Sequence, residues 1–260
     1  MLYIPSFEST IIQWILITFF VTSPLFFIGE ATGWLSFGYS KFAKREQKWS
    51  LPSRLGMFII YFPAVLAYPL IYIFLNSPSS QWHTLCMALV IAHFAKRCLE
   101  TLFLHKYSGV TNLGSTLLIS SLYTLVSGLL GYIASTEISL KLLNSSAFQP
   151  QIIVGVVLWV VGTGINFYHH WILANLRKPG ETGYVLPQKG LFRWIACPHY
   201  FGEIIGWFGY AILFHHVGAY VILLTMTAYL MGRSHNTVKW YRERMDNVPT
   251  NWKRLFPFVY

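Results

Sequence analysis

The chain has 260 residues and a formal net charge of +10; 55% of its residues are apolar, 11% are charged, and its mean hydropathy is +0.49. Soluble domains carry about 25% charged residues, so this composition excludes an ordinary water-soluble globule and specifies an integral membrane protein. The basic residues sit in connections between apolar runs, which argues against a nucleic-acid surface and for contact with anionic lipid.

Seven apolar runs succeed one another: Ile11–Ile28, Met57–Leu75, Trp82–Phe94, Leu113–Ala134, Ile152–Tyr168, Tyr200–His215 and Gly218–Met231. A spanning helix needs about 20 such residues, so the third, sixth and seventh runs are short. The first lacks a basic flank and a small-residue cleavage site, and reads as a retained span rather than a signal peptide. Lys41, Lys44, Arg45, Lys48 and Arg54 come after the first run, and Lys96, Arg97 and Lys106 after the third. Arg177, Lys178, Lys189 and Arg193 come after the fifth, and Arg233, Lys239, Arg242, Arg244, Lys253 and Arg254 lie in the tail. With seven spans, all of these fall on one side, and Lys141 alone falls on the other. The positive-inside rule then predicts an outside N-terminus and a cytosolic C-terminus. The sequon Asn144-Ser145-Ser146 shares the side of Lys141. The expectation is one all-α membrane domain over residues 1–260 of about seven transmembrane helices, with its site facing the cytosol.

The chemistry-bearing residues are unevenly placed. Cys86, Cys98 and Cys197 form no CxxC pair and read as free thiols. His169-His170 and His215-His216 are adjacent pairs, which point to different helix faces, so no metal centre is expected. There is no P-loop and no GxGxxG. Gly162 and Gly164, on the fifth run, read as sites of close helix packing. On that helix Asn166, His170 and Arg177 recur at spacings of four and seven, near one face. Arg177 and Lys178 suit a phosphate and Asn166 an amide or hydroxyl; the same pattern equally describes a helix end with basic residues favoured by its dipole. His93, Lys96, Arg97 and Glu100 form a second polar set. There Lys96 and Glu100 make either a local ion pair or a carboxylate that tunes a proton donor. The third set is Arg193, Cys197, His199, Tyr200 and Glu203, at the mouth of the sixth run. Ionisable groups at such a depth are costly and mark function.

From Asn166 to Arg177, then through GYVLPQKGLFRWIACPHYFGEIIGWFGY, GRSHNTVKWYRERM and the ending FPFVY, the chain resembles the family that joins steroid 5α-reductases and trans-2-enoyl-CoA reductases. The likeness is strongest over about residues 110–260 and reaches back more weakly to GYSKFA and LPSRLGMF. It implies a seven-helix membrane fold, in the endoplasmic reticulum, that holds NADPH between the last helices and the cytosolic loops. Carried over by position, the cofactor residues are Asn166, His170, Arg177, Lys178, Tyr184, His199, Glu203, Arg233 and Tyr241. His199 and His170 stand where the family often has Asn and Asp. Tyr61 and Thr101 stand where steroid reductases have the Glu and Tyr that hold the enone carbonyl, whereas KRCLETLFLHKYS is similar to the enoyl-CoA reductase motif. GINFYHH and CPHY are also similar to a plant branch of the family.

The resemblance implies NADPH-dependent reduction of a carbonyl-conjugated C=C bond in a lipid, with a 2-enoyl-CoA placed ahead of a 3-oxo-Δ4 steroid. Its pathway partners would be enzymes of fatty-acid elongation or sterol metabolism. Tyr200 would be the donor, tuned by Glu100 and Lys96, with Tyr61 as a second donor. The alternatives are an isoprenylcysteine or phospholipid methyltransferase using S-adenosylmethionine, whose HPxYxG-type segment is comparable, and a transporter, for which the sequence offers no inverted repeat.

Overall fold

The computed structural model describes residues 10–35, 49–77, 80–107, 109–135, 149–177 and 183–260. Lys41, Lys44, Arg45, Lys48, Lys141, Asn144 and Lys178 lie outside the described residues. Seven α-helices occur among the described residues: α1 (Thr10–Thr32), α2 (Ser53–Phe74), α3 (Gln81–Leu99), α4 (Leu113–Ala134), α5 (Gln149–Ala174), α6 (Pro198–Phe214) and α7 (Val217–Arg242). The protein is an all-α polytopic membrane protein, as its composition requires. Five helices, α1, α2, α4, α5 and α7, are long and apolar enough to cross a membrane.

The boundaries differ from expectation in instructive places. The last helix is not short: it has 26 residues and runs through Arg233 to Arg242. The third and sixth helices remain the shorter ones, at 19 and 17 residues. Helix α5 ends at Ala174, so Arg177 lies beyond it and does not share a helix face with Asn166 and His170.

The described chain packs as two compact units. One contains α2, α3 and α4. Its α2 carries Pro63, which has no N–H for the carbonyl of Ile59 four residues earlier. The hydroxyl of Ser120 on α4 donates to that carbonyl at 2.8 Å, and Ser127 donates to the carbonyl of Ala64 at 2.7 Å. In hydrocarbon every backbone polar group needs such a partner, so these bonds join α2 to α4. A short antiparallel ribbon, β1 (Ser50–Pro52) with β2 (Val110–Asn112), pairs Leu51 with Thr111 and ties together the segments that lead into α2 and α4. Asn112 then caps α4, its side-chain oxygen accepting from the amide of Ser115 at 2.9 Å.

The other unit contains α1, α5 from Val154 onward, most of α6, α7 and the C-terminal segment. Glycines let its helices touch. A Cβ on Gly162 would lie 2.5 Å from the carbonyl oxygen of Gly202, and a Cβ on Gly202 would lie 2.6 Å from the amide nitrogen of Asn166. A Cβ on Gly232 of α7 would lie 2.6 Å from the carbonyl oxygen of Phe27 on α1. Gly164, expected to pack like Gly162, instead faces open space.

Candidate active site

In the unit built from α1, α5, α6 and α7, the entry to α6 is held from both sides. The C-terminal segment pairs with it: Ala196 and Cys197 donate to the carbonyls of Lys253 and Arg254 at 2.8 and 3.1 Å, and Lys253 donates to that of Trp194 at 3.1 Å. The indole of Trp252 donates to the carbonyl of Phe192 at 2.6 Å. From α5, His169 bonds the carbonyl of Ile165 through Nδ1 at 2.7 Å and accepts from the amide of Leu191 through Nε2 at 3.0 Å. A carbonyl only accepts, so Nδ1 carries the hydrogen and the ring is neutral. Gly190 sits against this ring with φ of 60°, a conformation that suits glycine. The segment Gly190–Cys197 is therefore a fixed support for the start of α6.

That support delivers His199, Tyr200 and Glu203 on the first turns of α6. The Asn166 amide on α5 donates to the His199 carbonyl at 2.9 Å and to Glu203 Oε2 at 3.0 Å. Glu203 Oε1 accepts from the Trp207 indole at 3.2 Å. The rings of His170 and His199 lie 5.3 Å apart and those of His199 and Tyr200 4.2 Å apart. The structure thus brings together Asn166, His170, His199, Tyr200 and Glu203, all named from sequence. Trp207 was missed, although its i,i+4 spacing from Glu203 was a usable signal.

On α7 the picture changes. Arg233 is 1% exposed and ion-paired at 3.2 Å with Glu30 of α1, which is 0% exposed. The Asn236 amide donates to the Glu30 carbonyl at 2.9 Å. Arg233 therefore faces a carboxylate of its own chain. Sequence reading missed Glu30, though a lone acid at the end of an apolar span is itself a signal. One turn from both Arg233 and Tyr241, Thr237 is buried, and its hydroxyl has no hydrogen-bond partner among the described residues. Tyr241 is buried with ring centroids 5.4 Å from Trp240 and 5.7 Å from Trp252. Tyr184 is exposed and meets the Trp240 ring edge-on at 4.6 Å.

The α2–α4 unit holds a second polar cluster. After α3 the chain makes one wider, π-helical turn, Glu100–Leu104, closed by the His105 amide on the Glu100 carbonyl at 2.9 Å. Such turns re-aim side chains and recur at functional sites. Glu100 is 3% exposed. Lys96 approaches its Oε1 at 3.0 Å and Arg97 its Oε2 at 2.6 Å. The other terminal nitrogen of Arg97 donates to the Tyr61 hydroxyl at 2.8 Å. Lys96, Glu100 and Tyr61 thus belong to one network with Arg97 at its centre. Thr101 is turned inward, its hydroxyl on the Cys98 carbonyl at 2.7 Å. Burial first, then Tyr61, pushes the nearby Tyr107 phenol above its ordinary value. Two cations thus hold the buried carboxylate in place.

Comparison with known proteins places these features in a lineage. Residues 114–260 match the family described as 3-oxo-5-alpha-steroid 4-dehydrogenase. The chain is 30% identical over 228 residues to 3-oxo-5-alpha-steroid 4-dehydrogenase 1 of Bos taurus, covering 85% of this chain and 87% of that protein. It is 36% identical over 118 residues to steroid 5-alpha-reductase DET2 of Gossypium hirsutum, covering 45% and 46%. It is also 36% identical over 107 residues to 3-oxo-5-alpha-steroid 4-dehydrogenase 2 of Homo sapiens, covering 41% and 42%.

Proposed function

This chain belongs to the 3-oxo-5-alpha-steroid 4-dehydrogenase family, and from that premise we propose that it is a membrane oxidoreductase reducing a carbon–carbon double bond conjugated to the 3-oxo group of a steroid-like lipid. The observation that carries this reading is that the matched segment contains the whole Asn166–His199–Glu203–Trp207 cluster. Relatives that match most of the chain are named as steroid dehydrogenases, which supports a steroid-type acceptor over an acyl-CoA.

NADPH is the proposed cofactor, and it supplies a hydride when bound. The donor set fits it. Asn166 and Glu203 offer the amide and carboxylate that a carboxamide and ribose hydroxyls pair with, and the orphaned Thr237 hydroxyl offers another polar partner. Tyr184 and Tyr241 add phenols, and Arg177 is the charge for a 2′-phosphate. Arg233 holds α1 and α7 together beside this set through Glu30. His170 and His199 meet at its edge, their rings tilted by 45°. The site faces the cytosol, where NADPH is available, under the orientation set by the basic connections.

Reduction of the double bond places charge on the acceptor's carbonyl oxygen. A hydroxyl held against that oxygen stabilises it, and one such donor is worth about 10²–10³-fold in rate. A second reading, a 2-enoyl-CoA acceptor, draws support from the Lys96–Arg97–Glu100 cluster; in that reading Tyr200 is the donor. Purified protein incubated anaerobically with NADPH and a panel of 3-oxo-4-ene steroids and 2-enoyl-CoAs separates the two by which acceptor oxidises the cofactor and yields the saturated product. No acceptor-dependent oxidation together with binding of S-adenosylmethionine would overturn both.

A further inference from the structure

We infer that His235, Lys239 and Arg254 form a site for the phosphate of an anionic lipid headgroup, where the C-terminal turn packs on α7. The site lies wholly within the unit of α1, α5, α6 and α7. His235 and Lys239 are one turn apart on α7, so they share a face. It is not the face of the cofactor set: Arg233, Thr237 and Tyr241 are each two residues away, which on a helix is about 200°, and all three are buried whereas Lys239 is exposed. Arg254 comes from the segment that pairs with the entry to α6. Its guanidinium carbon sits 5.1 Å from the centre of the Tyr260 ring, and the Tyr260 hydroxyl donates to the carbonyl of Met231 at 3.4 Å. Met231 is one turn before His235. Arg254 is thereby set beside this part of α7, and the charges of both Arg254 and Lys239 bear on the His235 ring.

These cations lack an anion. Among the described residues no carboxylate pairs with Lys239 or Arg254, and the Nε–H of Arg254 is buried without a hydrogen-bond partner. The nearby Arg244, by contrast, has Glu243 at 3.1 Å. A phosphate accepts from a guanidinium fork, an ammonium and an imidazole N–H alike. Depth names its source. Met231 ends the apolar run of α7, and the tail folds back to that level. There the amides of Leu255 and Phe256 both donate to the main-chain oxygen of Tyr260, at 2.8 and 2.9 Å. The turn so closed holds Phe258 at φ of 65°, a region that bulky residues rarely adopt, and leaves Phe258 and Val259 78% and 79% exposed. A turn that presents two large apolar side chains beside three nitrogen donors matches a lipid: acyl chains meet Phe258 and Val259, and the phosphate meets the cations. A free phosphate would have no use for the apolar pair. Under the proposed orientation this face meets the cytosolic leaflet, which carries the anionic lipids. The Arg254 carbonyl also accepts from the Cys197 amide at 3.1 Å, so a lipid that holds Arg254 steadies the support of α6.

The test uses the full chain purified in detergent, given phosphatidylcholine alone or mixed with phosphatidylglycerol. The readouts are melting temperature and the lipid retained in native mass spectrometry. Phosphatidylglycerol is expected to be retained and to raise the melting temperature, and phosphatidylcholine to do neither. Lys239→Gln and Arg254→Gln should each weaken retention by about fivefold, the worth of one cation near an anionic surface. Arg244→Gln removes the same charge close by and should leave retention unchanged. Asparagine tolerates a positive φ, so Phe258→Asn should melt no lower than the wild type without added lipid, yet retain less phosphatidylglycerol. Inorganic phosphate should not raise the melting temperature. If Arg254→Gln fails to fold, the exposed Lys239 carries the test. Equal retention of the two lipids, an equal loss with Arg244→Gln, or a rise with inorganic phosphate that matches the lipid's would overturn the inference; none of these outcomes touches the enone-reductase reading.

Discussion

Replacing Gly162 by alanine tests whether the closeness of α5 and α6 is what assembles the Asn166–Glu203 site. The added Cβ would lie 2.5 Å from the carbonyl oxygen of Gly202 and 2.9 Å from Cα of Gly206. Both obstacles are backbone, so no side chain can swing aside. Restoring ordinary van der Waals contact requires the helices to separate by roughly 1 Å. Overpacking of this kind costs about 1–3 kcal/mol. The displacement reaches the site one turn away, because Asn166 Nδ2 stands 3.0 Å from Glu203 Oε2. Another ångström takes that contact out of hydrogen-bond range, and a bond to a charged group is worth about 1.5–3 kcal/mol. If NADPH binds the preassembled pair, affinity falls by about tenfold or more. The assay is titration of purified protein with NADPH, read by quenching of tryptophan fluorescence, beside a thermal melt in detergent. Gly164→Ala is the internal control: its Cβ meets nothing within 4 Å, so affinity and melting point should hold. A Gly162→Ala protein that melts and binds NADPH as the wild type does would refute the claim that this seam positions the site.

Glu30→Ala leaves Arg233 buried without its carboxylate, which should destabilise the protein by about 3–5 kcal/mol; the double variant Glu30→Ala/Arg233→Met should recover much of that in a detergent melt. Glu203→Ala removes a carboxylate acceptor from both Asn166 and Trp207, so the NADPH dissociation constant should rise before kcat falls, and a selective kcat loss would count against the cofactor role. NADPH should be preferred to NADH, with Arg177→Ala narrowing the gap; equal kcat/KM for the two cofactors in the wild type would remove the 2′-phosphate argument. Tyr200→Phe should keep kcat within about threefold if Tyr61 is the donor, while a loss of roughly 10²–10³-fold would move the donor role to Tyr200 and favour the acyl-CoA reading. A C-terminal tag that is protease-protected in sealed membranes would reverse the proposed orientation.

The helices were legible because each buries apolar residues in a medium that demands satisfied backbones, and that leaves long apolar runs. Their ends were not. α7 continues past Met231 because Arg233 and Asn236 find partners on α1 and Thr237 is buried, and no hydropathy pattern announces a polar stretch that will pack in this way. α5 stops at Ala174, short of Arg177. The sequence mark of that end is Pro179, which has no N–H for the carbonyl of Asn175 four residues earlier; a seven-residue spacing continues a helix face only where the helix itself continues. The difference between Gly162 and Gly164 was invisible for another reason. Two residues on one helix point about 200° apart, and only the position of α6 decides which of them is the seam.

The charges carry the same lesson for function. Counting Lys and Arg is enough to propose an orientation, because orientation depends on how many cations a loop holds and not on what each one touches. Site chemistry depends on the reverse. Arg233 and Arg97 read from sequence as two more cations at a polar boundary. Each is instead committed to a carboxylate of its own chain, Glu30 and Glu100. A cation paired in that way contributes little net charge to an anionic ligand but holds its neighbours in register. Arg233 does this for α1 and α7, and Arg97 does it for the Tyr61 hydroxyl. Among the cations named from sequence for a phosphate, Arg177 lies past the end of α5 and outside the α1–α7 contact that Arg233 holds. Its replacement therefore reads out cofactor choice, whereas replacing Arg233 would first read out the packing of α1 against α7.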